Sequence, residues 1–189
     1  NLPNYLTLGR IVLIPVVLML LAEIDPLIES QSNFWYGLLA ALIFIIAGVS
    51  DLVDGYYARK YKINSAFGKY FDPLADKLMV LTVMIMLMDL DRLAPWVVIL
   101  FLMREVSITA LRGVASAEGL TMAADQWGKK KTLLQNIALP GLMLNRDTFL
   151  GFFDPRVFGE VILYAALIVA VASGLHYLYR FSLLVLRKT

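Results

Sequence analysis

Four aspartates hold the chemistry this sequence can offer. Asp51 and Asp54 stand three residues apart and Asp72 and Asp76 four apart, so on helices each pair shares a face. The segment between the pairs is short, which predicts antiparallel neighbours that bring all four carboxylates to one place. Packed together they would repel unless a cation sits among them. A site built only of carboxylate oxygens suits Mg²⁺, Mn²⁺ or Ca²⁺ rather than a soft metal. With no cysteine and a lone histidine, His176, thiolate and imidazole sites have no material. Mg²⁺ (or Mn²⁺), one or two ions, held by carboxylates together with substrate phosphate oxygens, is the expected cofactor. A plainer reading stands beside this one: Asp72 precedes Pro73 and could be an N-cap with proline at the first helical position, and Asp51 or Asp76 could pair with Arg59 or Lys77.

The elements that must position these acids are apolar. Hydrophobic residues make up 60% of the 189 and the mean hydropathy is +0.73, far above the soluble range of about 45–50% apolar residues. Spanning helices are expected near Leu6–Ala22, Phe34–Arg59, Asp72–Met88, Ala94–Arg112, Thr132–Leu144 and Val157–Leu186, helical because lipid leaves backbone groups no other partner. Pro140 would kink the fifth, and the sixth is long enough to run past a bilayer. The segment Ile11 to Leu21 follows Arg10 and lacks a small-residue cleavage site before Glu23 and Asp25, so it reads as a retained first span.

Of the 17 Lys and Arg, all but Arg92, Arg146 and Arg156 fall on the side of the termini, which places both termini in the cytoplasm. Trp35, Trp96 and Trp127 fall at expected boundaries, as anchors. The fold class expected is therefore all-α: a polytopic membrane protein of six transmembrane helices with cytoplasmic termini, forming a single domain over 1–189 in the cell membrane. A net charge of +2 offers no basic face of the kind nucleic acid requires.

From Asp51 to Asp76 the chain reads D-x2-D-G-x2-A-R-x8-G-x3-D-x3-D. This resembles the signature of the CDP-alcohol phosphotransferase family, with all eight fixed positions present; at about 6% usage each, chance agreement is on the order of 10⁻¹⁰ per start. The resemblance implies that Asp51, Asp54, Asp72 and Asp76 are metal ligands and that Asp76 is also the base that takes the proton of an attacking hydroxyl, with CMP as leaving group. It implies CDP-lipid contacts at Asn4, Gly55, Ala58, Arg59, Ser65 and Gly68. Small residues let a nucleotide approach the backbone, although they equally serve plain helix packing, and Arg59 is suited to phosphate.

The opening Leu2-Pro3-Asn4-Tyr5-Leu6-Thr7-Leu8-Gly9-Arg10, the run Arg104-Glu105-Val106 to Leu111-Arg112, and Gly128-Lys129-Lys130-Lys131-Thr132 with Gln135 resemble family members that join glycerol 3-phosphate to CDP-diacylglycerol. Arg104, Arg112, Lys129 and Lys131 would then receive the acceptor phosphate; their alternative is positive-inside bias or contact with anionic membrane lipids, and Glu105 could simply neutralise a neighbour. The resemblance covers residues 1 to about 143, leaves the C-terminal third with general hydrophobic character alone, and suggests a homodimer. Sibling acceptors (inositol phosphate, serine), a cation transporter and a non-catalytic scaffold remain alternatives, the transporter lacking paired broken helices or a repeated half.

Overall fold

The computed structural model describes the backbone of residues 2–28, 31–61, 66–119, 126–144 and 153–186, and the side chains of 8–28, 31–50, 71, 74–119, 126–144 and 153–183. Six helices and no strand occur among them: α1 Leu2–Ala22, α2 Gln31–Tyr61, α3 Ala66–Asp89, α4 Pro95–Ala117, α5 Gln126–Met143 and α6 Pro155–Leu186. Each expected apolar run became one helix.

Local chemistry explains where several begin and end. Pro95 opens α4 after an extended Ala94 (φ −67°, ψ 134°), as proline's fixed φ and missing N–H favour. At the other end of α4, Gly119 takes φ +70°, and its N–H donates to Ser116 O at 3.1 Å, a left-handed helix stop that suits glycine. Asp154 caps α6: its Oδ1 accepts from the Arg156 N–H at 2.8 Å and the Val157 N–H at 3.3 Å, with Pro155 in the first position. Between α1 and α2 the buried Asn33 stitches the turn, donating through Nδ2 to Asp25 O at 2.8 Å and Ile28 O at 2.6 Å.

Two expectations shift. α3 starts at Ala66 rather than at Asp72, so Asp72 lies in its second turn and is not a cap. α5 starts at Gln126, before Thr132, and runs through Pro140, whose missing N–H leaves the Asn136 carbonyl without its intrahelical donor.

The helices alternate in direction. One end of the bundle collects the α1–α2, α3–α4 and α5–α6 connections: Gly37 near the start of α2 faces the Met143 carbonyl at the end of α5, and Arg92, before α4, donates to that carbonyl at 2.6 Å. Inside, Val17, Leu21, Phe44, Val83, Leu87, Phe101, Leu139, Leu142 and Leu163 form one buried cluster fed by all six helices. Two glycines press α5 onto α6: a Cβ on Gly159 would sit 2.6 Å from Ala138 O, and one on Gly141 would sit 2.5 Å from Pro155 O. Such backbone contact is what small residues permit between membrane helices.

The outside is apolar as well. Val161, Ile168 and Leu175 recur every seven residues along α6 at 64%, 70% and 63% exposure, and Ile99, Met103 and Val106 line an exposed face of α4. Among the described residues, two stretches are long and apolar enough to cross a membrane, Gln31–Ser50 and Pro155–Leu183, with mean hydropathy 1.8 and 2.1. Elsewhere charges interrupt the apolar runs: Asp76 and Lys77 in α3, Arg104, Glu105 and Arg112 in α4, three lysines at the start of α5.

Candidate active site

The backbone of α2 carries Asp51, Asp54, Gly55, Ala58 and Arg59 in its last third, and that of α3 carries Gly68, Asp72 and Asp76. Both aspartate pairs thus lie on helix, one turn apart, as their spacing predicts. The side chains of 51–70, 72 and 73 lie outside the described residues, as does Ser65 altogether, and Asn4 is placed only as helical backbone in α1. Whether the four carboxylates converge falls on that undescribed part. Among the described residues no cluster of His, Asp or Glu is arranged to hold a metal, and His176 lies exposed on α6.

Asp76 is described, half-buried on α3, and the buried ammonium of Lys131, on α5, feels its charge. From there a network of charged groups spreads across three helices. Glu105 of α4 is its centre. One carboxylate oxygen, Oε1, accepts from Lys131 Nζ at 2.6 Å and from Arg104 Nη1 at 2.7 Å. The other, Oε2, faces Lys77 Nζ of α3 at 3.5 Å. Lys77 also donates to Thr109 Oγ1 at 3.0 Å, and that hydroxyl donates to the Glu105 carbonyl at 2.7 Å. Lys77 therefore pairs with Glu105.

Arg104 is held by shape as much as by charge. Its Nη2 donates to Ser173 Oγ of α6 at 3.3 Å. A Cβ on Gly128 would lie 3.4 Å from Nη2, and one on Gly174 3.4 Å from the Arg104 Cγ, so the side chain lies in a slot between α5 and α6. Arg112, two turns further along α4, is held by Tyr177: its Nε donates to the phenol oxygen at 3.3 Å and its guanidinium carbon sits 5.5 Å from the ring centre.

The three consecutive lysines part company. Lys131 is 5% exposed, whereas Lys129 is exposed and Lys130 lies over the Trp127 ring at 4.5 Å. Helical geometry requires this, since neighbours in sequence differ by about 100° around the axis. Of the four expected acceptor cations, Arg104 and Lys131 meet on one carboxylate, Arg112 is tied to α6, and Lys129 faces outward.

α5 links the network to the acidic helices. Gln135, one turn beyond Lys131 and 2% exposed, donates to Met84 Sδ of α3 at 3.6 Å. Asn136 reaches α2 at Gly48, where a Cβ would lie 4.0 Å from its Nδ2, three residues before Asp51. α5 thus packs against the stretch of α2 that leads into the first aspartate pair.

Residues 1–172 match the CDP-alcohol phosphatidyltransferase family. The chain belongs to that family. It is similar, at 41% identity over 94% of its own length and 93% of the relative's, to the CDP-diacylglycerol–glycerol-3-phosphate 3-phosphatidyltransferase of Bacillus subtilis. Proteins of the same description from Rickettsia typhi and Haemophilus influenzae are 37% and 34% identical, each over 94% of this chain and 94% and 91% of theirs. This CDP-alcohol phosphatidyltransferase family member is a transferase, and divalent metal dependence is a property of its family.

The match extends past residue 143 into α6, where sequence reasoning found only hydrophobic character. Beyond the end of that match at residue 172, Ser173, Gly174 and Tyr177 are what sequence reasoning missed in α6, and their signal was a polar and small patch one helical turn long in an otherwise apolar helix.

Proposed function

We propose that the chain transfers the phosphatidyl group of CDP-diacylglycerol to glycerol 3-phosphate, giving phosphatidylglycerophosphate and CMP in phospholipid biosynthesis. The observation that carries this reading is the convergence of Arg104 and Lys131, from two helices, beside the helix of Asp76. An anionic acceptor needs cations next to the base, and a neutral one does not. The curated relatives act, by their descriptions, on these two substrates.

In this reading the lipid enters from the bilayer and its nucleotide lies along Asn4, Gly55, Ala58, Arg59, Ser65 and Gly68. Arg104 and Lys131, assisted from the rim by Arg112 and Lys129, take the phosphate of the acceptor and turn its free hydroxyl toward Asp76. Asp76 removes the hydroxyl proton as the oxygen attacks the lipid-side phosphorus, a bond to phosphorus forms, and the bond to CMP breaks. The donor set of Asp51, Asp54, Asp72 and Asp76 is all carboxylate oxygen and fits one or two Mg²⁺ or Mn²⁺ ions, which would supply charge stabilisation at the diphosphate.

The same reading makes the chain one membrane domain over 1–189, a homodimer with six spans in the cell membrane, both termini and the site facing the cytoplasm. What supports it is the alternating helix direction, the apolar exposed faces of α4 and α6, and the bias of Lys and Arg toward the end of the termini.

Purified protein given CDP-diacylglycerol, glycerol 3-phosphate and Mg²⁺ is expected to release CMP and form an acidic phospholipid on thin-layer plates, and chelation should stop it. Release with inositol phosphate or serine but none with glycerol 3-phosphate would overturn the acceptor assignment.

A further inference from the structure

We propose that Glu105 is a positioning residue: it gathers cations from three helices into a preformed acceptor-phosphate site and ties that site to the helix that carries Asp76. The inference rests on the proposed transfer to a phosphorylated alcohol and adds a part that touches neither substrate.

Lys77, Arg104 and Lys131 come from α3, α4 and α5, and all three direct a nitrogen at the carboxylate of Glu105, at 3.5, 2.7 and 2.6 Å. Lys131 is 5% exposed, and a buried cation without a partner is strongly unfavourable. Glu105 is its direct partner there, at 2.6 Å. The carboxylate is itself held: its helix is pinned through the Thr109 hydroxyl, which bonds both the Glu105 carbonyl and Lys77.

Three positive charges around one negative leave the cluster cationic, so it retains attraction for a phosphate while its members do not fly apart. Arg104 has donor capacity left over, since its Nε, buried, has no partner among the described residues. A planar guanidinium held by a carboxylate at Nη1 and a hydroxyl at Nη2, with one donor still unmatched, has a hydrogen bond left to offer an oxyanion.

The connection to Lys77 sets geometry. Lys77 follows Asp76 directly in α3, so the contact of Lys77 with Glu105 fixes how far the acceptor cations lie from the base. Two consequences separate: losing the carboxylate scatters the cations and weakens acceptor binding, whereas losing only the Lys77 contact leaves the cations gathered but misaligned with Asp76.

The test is steady-state kinetics on purified full-length protein in detergent with CDP-diacylglycerol and Mg²⁺. For Glu105→Gln, the KM for glycerol 3-phosphate is expected to rise tenfold or more while that for CDP-diacylglycerol stays within twofold, and Glu105→Asp should recover part of the loss. Lys77→Met, at a partly exposed position that tolerates change, should lower kcat at least threefold with little effect on either KM. Adding Glu105→Gln to Lys131→Gln should cost little beyond Lys131→Gln alone, because residues acting as one unit are not additive; a general folding role would add its full penalty. Unchanged acceptor KM in Glu105→Gln, or additive losses in the double variant, would overturn the proposal. If Glu105→Gln does not fold, an unaltered kcat in Lys77→Met overturns it. Wild-type protein that releases no CMP with glycerol 3-phosphate overturns instead the transfer reading beneath it.

Discussion

The two ends of the bundle bury arginine in opposite ways. At the end of the α3–α4 connection, Arg92 is 7% exposed and spends its guanidinium on backbone, donating to Met143 O at 2.6 Å and Leu142 O at 3.4 Å. These are terminal carbonyls of α5, which lack intrahelical donors and carry the negative end of the helix dipole. Burial first, and the charge of Arg156 second, push Arg92 down to about 10, so it stays charged near neutral pH. At the other end Arg104 spends its guanidinium on a side chain, and that side chain, Glu105, is shared with two lysines. Carbonyl partners are fixed and neutral, and both take Nη1 to close a helix, with the buried Nη2 left without a partner among the described residues. A shared carboxylate leaves net positive charge in place. The first arrangement builds structure, and the second is fit for a ligand.

Breaking the contrast at the site end should have the largest effect. Asp76→Asn is expected to lower kcat by about 10²–10⁴, the usual worth of a general base, with the unfolding temperature little changed; a variant retaining most of its turnover would remove the base assignment. Lys131→Gln comes next, losing a charge-assisted contact worth about 1.5–3 kcal/mol, read as a rise of about tenfold to a hundredfold in the KM for the acceptor alone. At the opposite end the currency changes from kinetics to stability. Arg92→Met, which leaves two carbonyls uncapped, should cost about 1.5–3 kcal/mol in denaturant titration, with KM for both substrates unmoved; a selective acceptor effect would blur the distinction between the ends. The smallest change is expected from Asn33→Ala, about 1 kcal/mol for the neutral bonds that stitch the α1–α2 turn, again without kinetic effect.

Much of the fold was legible because membrane helices advertise themselves as apolar runs, and proline and aspartate mark ends such as Ala94-Pro95 and Asp154-Pro155. The errors lie where polar residues continue a helix. Lys129, Lys130 and Lys131 are good helix formers, so α5 extends back to Gln126, although an apolar run begins only after them. Asp72-Pro73 imitates a helix start, yet α3 is already under way at Ala66.

Arg104 and Lys131 could be singled out from resemblance. Glu105 could not be given its role, because beside Arg104 it looks like simple neighbour neutralisation. Its other partners, Lys77 and Lys131, lie on other helices, Lys131 26 residues away, and no local period records such a meeting. Ser173 and Tyr177 were hidden for the same reason: their importance comes from what α4 places opposite them.

The glycine contact between α5 and α6 carries a consequence far from where it occurs. With the Gly159 backbone against the carbonyl of Ala138 and Gly141 against that of Pro155, neither helix can slide along the other without a collision, so the pair behaves as a rigid ruler. Lys131 lies ten residues from Gly141, about 15 Å along the axis, and Ser173 fourteen from Gly159, about 21 Å. The spacing of the Arg104 slot is therefore gauged by a side-chain-free junction near the opposite mouth of the bundle, and a single added methyl there should be felt as blunted acceptor selectivity.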